Sequence, residues 1–224
     1  MTRQKLCERK LPSYTKSEEI FNMVTHIVGG GLGICALTLC VIFAALNRNV
    51  FGVVSSAIYG TSLVVLYTMS SLYHGLSPKT ISKKVFQVLD HCSIFFLIAG
   101  TYTPIALSPL REYNPYLGWG IFGVIWSVAT VGIVFNSIDI RKYKKLSAIS
   151  YLLMGWCIVL AWKQTTAALH KNAIVLLLIG GVFYTTGALI YYFLKSKRYS
   201  HSIFHLFVLF GSIFHFFTVF LYCI

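Results

Sequence analysis

Charge is what this sequence has least of. Only 11% of its 224 residues are charged, and just six are acidic. Soluble domains carry roughly 25% charged residues, so a water-exposed globular enzyme is excluded. No C-x-x-C occurs among the six cysteines, which are scattered mostly through apolar runs. They read as small buried hydrophobes, and neither a disulfide framework nor a thiolate metal site is expected. The start of the chain is polar and lacks the apolar core of a secretory leader, so no cleavable signal peptide is expected. There is no internal repeat and no stretch that reads as a second domain.

Apolar surface is abundant. Hydrophobic residues make up 57% of the chain and its mean hydropathy is +0.73, which predicts a polytopic membrane protein. The net charge of +13 resembles that of a nucleic-acid binder, but the lysines and arginines sit in short loops between apolar segments. Their expected partners are anionic lipid headgroups and not nucleic acid.

The fold class expected is all-α, a bundle of seven transmembrane helices. A basic, flexible segment at 1–17 precedes a single transmembrane domain at 18–224. Spans are predicted at 24–46, 51–74, 85–107, 117–138, 146–169, 173–194 and 202–224, with Pro104 kinking the third. Gly29, Gly30, Gly31 and Gly33 give the first span a small-residue face for close helix contact. With seven spans, fifteen of the nineteen lysines and arginines fall on the N-terminal side. The positive-inside rule then places the N-terminus in the cytoplasm and the C-terminus outside.

Polar groups within the spans are few and gather at one end. His26, His74, Asp90, His91, His201 and His205 all lie at the predicted cytoplasmic ends of their helices, with His170 on the outer side and His215 deeper. Ionisable groups in spans are costly and face the bundle interior. His201 and His205 are one helical turn apart and present two imidazoles to the same point. With His74 from a second helix they make three histidines and an open position, the pattern of a catalytic zinc site. Asp90 is placed to orient water or act as general base, and Ser70, one turn deeper than His74, to donate to an oxyanion. Each also has a plainer reading: Ser70 bonded to its own helix backbone, Asp90 paired with Lys84. His26 and His91 read as packing or supporting histidines.

Several motifs carry a family resemblance: EEIFNMVTHIVGG at 18–30, SSLYH at 70–74, DHCSIFFLIAGTYTP at 90–104, GGVFYTTGALIYY at 180–192 and HSIFHLFVLFGSIFHF at 201–216. Together they closely resemble the hemolysin III family, the bacterial branch of the progestin and adiponectin receptor (PAQR) proteins. That group resembles a wider superfamily of membrane hydrolases (CREST) that includes alkaline ceramidases. The resemblance implies Zn2+ on His74, His201 and His205, with Asp90 and Ser70 as the catalytic pair. It implies a multi-pass protein of the bacterial cytoplasmic membrane that hydrolyses an amide or ester bond of a membrane lipid. Two other functions fit the same sequence: a pore-forming cytolysin, or a non-catalytic regulator of membrane composition in which zinc cross-links helices.

Overall fold

A computed structural model describes residues 10–194 and 196–224. Among these, six helices are long and apolar enough to cross a bilayer: α1 (Lys16–Leu46), α2 (Val50–Gly75), α3 (Ile81–Tyr113), α4 (Pro115–Ala168), α5 (Lys171–Leu194) and α6 (Ser200–Tyr222). The helix starts follow from capping chemistry. Thr15 and Glu18 form a reciprocal capping box at α1, each side chain accepting the other's backbone N–H. Asn49, Thr80 and Asn114 cap α2, α3 and α4 through their side-chain oxygens, and Pro115 fills the first position of α4.

Six such helices stand where the sequence predicts seven, and the difference lies in α4. Helical geometry continues through the expected fourth and fifth spans, interrupted at Asp139 by an extended backbone (φ −160°, ψ 99°). The chain doubles back there. Ser147 Oγ donates to Asn136 Oδ1 at 2.6 Å, and Asn136 Nδ2 donates to the Tyr151 hydroxyl at 3.1 Å. In a straight helix residues eleven apart would lie about 16 Å from one another. In α3 the backbone widens into a π-helical turn at Ala106–Leu110, just after Pro104 and around Pro109, where the missing proline N–H groups break the regular ladder.

Glycines set the closest helix contacts. A Cβ on Gly29 would meet the Tyr67 ring at 2.5 Å, and one on Gly33 would press on Leu63 at 3.2 Å, so α1 and α2 pack along that stripe. Gly31 faces open space and Gly30 barely touches Tyr67, so the small-residue face is half as wide as the sequence predicts. Ile27, Val54, Val131 and Leu153 point outward, while Ser62, Thr103 and Asn136 are buried and hydrogen-bonded, an arrangement suited to lipid outside and polar pairing within.

The loops sort into two ends. At one, Arg141 donates to the Lys10 carbonyl, Lys83 reaches Glu19, and the Tyr199 N–H donates to Glu18 at 2.7 Å. At the other, Asn49 donates to Ser108 at 3.1 Å, the Arg111 guanidinium lies over Phe51, and His170 stacks on Tyr222. Of the segment predicted to be flexible, residues 1–9 with Cys7 lie outside the described residues. Residues 10–15 run across the first end and α1 begins at Lys16. Cys40, Cys92 and Cys223 are buried as expected, whereas Cys35 is exposed on the outer surface of the bundle.

Candidate metal centre

α2 brings His74 to the end that carries Glu18, Glu19 and Lys83, and α6 delivers His201 and His205 from its first two turns. The i, i+4 spacing does what it predicts: His205 Nε2 lies 3.1 Å from His201 Nε2, which lies 3.3 Å from His74 Nε2. One ligand atom from each of the three sits within 4.8 Å of the other two. A tetrahedral ion with metal–nitrogen bonds of 2.0–2.1 Å sets its ligands roughly 3.3–3.4 Å apart. The described residues therefore hold a cluster that can take a metal ion. His74 and His205 are buried and His201 is partly so.

The carboxylate that orients the cluster comes from α1. Glu19 Oε2 lies 2.6 Å from His74 Nδ1, and its other oxygen accepts from Lys83 Nζ at 2.7 Å. A carboxylate can only accept, so the bond fixes the proton on Nδ1 and turns the Nε2 lone pair toward the other two histidines. Lys83 is 1% exposed and spends its donors inward, on Glu19, the Leu76 carbonyl at 3.0 Å and the His74 carbonyl at 3.4 Å. The expectation of a headgroup-facing loop lysine is corrected here: the hydrogen-bonding needs of Glu19 and of the α2 terminus draw it inside.

Aromatic side chains close the cluster. Tyr14 stacks on His201, ring centroids 5.1 Å apart and nearly parallel, and leans on His74 at 5.8 Å. Burial, together with the hydroxyl of Tyr191, pushes its phenol well above the usual range, so it stays protonated. Tyr191 lies against His201 at 5.0 Å, with Lys144 Nζ over its outer face. Beneath the cluster His26 stacks on His205 at 3.7 Å, so it supports a ligand and stands outside the group that can hold the ion.

Of the two remaining predicted residues, one shares α2 with His74 and the other stands on α3, which carries none of the three histidines. Ser70 is buried one turn below His74 on α2. Asp90 is partly buried on α3, its carboxylate 3.7 Å from His91 Nδ1 and within electrostatic reach of Tyr73 and Tyr191. His91 donates instead to the Gln87 carbonyl at 2.9 Å. Sequence reasoning missed Glu19, Lys83 and Tyr14. A signal existed for the first: Glu19, Asn22 and His26 recur at steps of three and four on an otherwise apolar helix, a polar stripe aimed into the bundle.

The sequence profile of the family described as "Haemolysin-III related" matches residues 14–216, which takes in every residue of the cluster. The chain belongs to the haemolysin III family. It is 40% identical to the "Hemolysin-3 homolog" of Bacillus subtilis (strain 168) over 211 residues, 94% of this chain and 97% of that relative. It is 41% identical to the "Hemolysin-3" of Bacillus cereus over 206 residues, 92% of this chain and 91% of the other. A human relative, "Monocyte to macrophage differentiation factor", is 27% identical over 218 residues, 92% of this chain and 84% of its own. As a haemolysin III protein with six membrane-capable helices, the chain is a multi-pass membrane protein.

Proposed function

We propose that this haemolysin III protein is a zinc-dependent hydrolase of the bacterial cytoplasmic membrane, acting on an amide or ester bond of a membrane lipid. The observation that carries the reading is the convergence of three imidazoles, with His201 Nε2 3.1 Å from His205 Nε2 and 3.3 Å from His74 Nε2, His74 being oriented by the partly buried Glu19 carboxylate. An all-histidine set with one carboxylate behind it suits Zn2+. Zinc held there supplies a Lewis acid and makes water a competent nucleophile near neutral pH. In this reading Asp90 takes the proton of the attacking water, while Ser70 donates from below to the oxygen on which charge develops. The cluster lies at a helix end, so the scissile bond sits near the headgroup while an acyl chain stays among the helices and lipid.

The topology belongs to the same proposal. In this reading α4, interrupted at Asp139, crosses the membrane twice, for seven spans in all. The lysines and arginines gathered at the metal end, beside anionic headgroups, make that end cytoplasmic and put the C-terminus outside. The cluster also draws its ligands from α2 and α6, so zinc bound there would staple the two helices, as a structural role requires. The two roles separate in one experiment. Wild-type protein is expected to carry near-stoichiometric zinc, and Ser70→Ala and Asp90→Asn to keep it while losing hydrolysis by about 3 kcal/mol of transition-state stabilisation. Wild-type turnover of a lipid by both variants would leave zinc as a staple alone.

A further inference from the structure

A groove of about 260 Å³ lies between the two limbs of α4 that meet at Asp139. Ser127, Val128, Val131 and Phe135 line it from the first limb and Leu146 from the second. The ring of Phe95 forms its floor, admitted because residue 132 is glycine: a Cβ there would strike the ring at 2.2 Å. Val128, Val131 and Leu146 are exposed, so the groove opens on the outer surface of the bundle. Its serines spend their hydrogens elsewhere, Ser127 on the Gly123 carbonyl at 2.7 Å and Ser147 on Asn136 at 2.6 Å, which leaves a hydrocarbon lining. From Ser127 to Phe135 the helix rises about 12 Å, most of one leaflet of a ~30 Å hydrocarbon core.

One end of the groove is cationic. Phe135, in its wall, stacks on Tyr143 at 4.7 Å, and Lys142 Nζ lies 5.3 Å from the centre of that Tyr143 ring. Lys142 also stands four residues before Leu146, one turn above it on the same face. The turn carries Arg141, Lys142, Lys144 and Lys145 beside a single acid. That acid, Asp139, is occupied in accepting the backbone N–H groups of Arg141 at 2.9 Å and Lys142 at 3.2 Å. Arg141 holds the Lys10 carbonyl and Lys144 lies over Tyr191. Lys142 and Lys145 are exposed and, among the described residues, in no ion pair.

Charge decides the occupant. A second copy of the chain docked about a two-fold axis would set this crown of cations against an identical one. A zwitterionic lipid brings no net charge for the crown to attract. An anionic phospholipid matches both parts, with hydrocarbon for the slot and a phosphate where the slot ends. We propose that the groove seats one anionic phospholipid, a hydrocarbon chain against Phe95, Val128 and Val131 and its phosphate held by Lys142 and Lys145. The site is separate from the histidine cluster and does not rest on the hydrolase reading.

The test is native mass spectrometry of the purified protein in detergent. It is titrated with ether-linked phosphatidylglycerol, which has no ester to cleave, or with ether-linked phosphatidylcholine of the same chains. Wild type is expected to carry one phosphatidylglycerol and to hold it more tightly than phosphatidylcholine. Lys142→Gln combined with Lys145→Gln is expected to weaken it by about fivefold for each lysine removed. Val131→Trp, which fills the groove and leaves the charges, is expected to weaken both lipids. Lys79→Gln combined with Lys197→Gln, which removes two exposed cations from the same end of the bundle, is expected to bind like wild type. Inorganic phosphate is expected not to displace the lipid. Equal retention of the two headgroups by wild type, equal weakening by the two double substitutions, or displacement by phosphate would overturn the site. So would undiminished binding to Val131→Trp protein, or wild-type dimers that this substitution dissolves, which would put a second copy in the groove.

Discussion

At the scale of single residues, the candidate metal centre is built by the histidines and oriented by Glu19. Its carboxylate fixes the His74 tautomer and is itself held by Lys83. Partners of this kind typically carry 10–100-fold of metal affinity when removed. Glu19→Gln is accordingly expected to weaken zinc binding by about that factor, measured by competition with a chromophoric chelator, with helix content unchanged. Wild-type affinity would mean that His74 finds its orientation elsewhere. His74→Ala, His201→Ala and His205→Ala are expected to lose the metal outright, while His170→Ala, at the far end, keeps it. Tyr14 calls for a kinetic measurement. Because its ring covers His201, Tyr14→Ala is expected to retain zinc at saturation but to surrender it to a chelator faster. An unchanged release rate would show that the metal leaves by another route.

Among the elements, the start of α1 and the start of α6 hold one another. Tyr199 adopts a left-handed backbone (φ 61°), a conformation that costs a non-glycine residue about 1 kcal/mol or more. Glu18 compensates by accepting the Tyr199 N–H while completing the α1 capping box, and Ser17 accepts from the Tyr199 hydroxyl at 3.1 Å. Glu18→Ala removes both bonds and is expected to cost about 1–2 kcal/mol, read as a lower melting temperature. A melting point equal to wild type would leave Tyr199 held by other contacts. Elements of this sort show how far sequence reading reaches. The i, i+4 pair on α6 was legible because helical geometry alone decides it, and His74 because polar groups in an apolar chain are rare enough to be matched by depth. Glu19 and Lys83 read as a dipole-friendly acid and a headgroup lysine, since either role suits a helix terminus until the two are found 64 residues apart in one hydrogen bond. Tyr14 sat in a polar segment with no periodicity to mark it. The long α4 shows the converse: two apolar windows and a basic turn predict a break, and Asp139 supplies it while helical geometry resumes on either side.

For the molecule as a whole, the lopsided distribution of lysine and arginine is the strongest determinant of how it sits in a membrane. A reporter fused after Ile224 is expected outside the cytoplasm, and one placed in the turn at 141–145 inside it. A cytoplasmic C-terminal reporter on otherwise intact protein would reverse the orientation and move the histidine cluster to the other face of the membrane. The cluster has one more property of the whole chain. His74 and His201 are 127 residues apart, and two of the three nitrogens belong to α6, which is made long after α2. While the ribosome is still synthesising α3, α4 and α5, the growing chain has only one of its three histidines, already tethered by Glu19. It can neither capture an ion early nor be trapped around one in a wrong arrangement. Any metal uptake must therefore wait for α6, and a chain that stalls before Ser200 has no three-histidine site to fill.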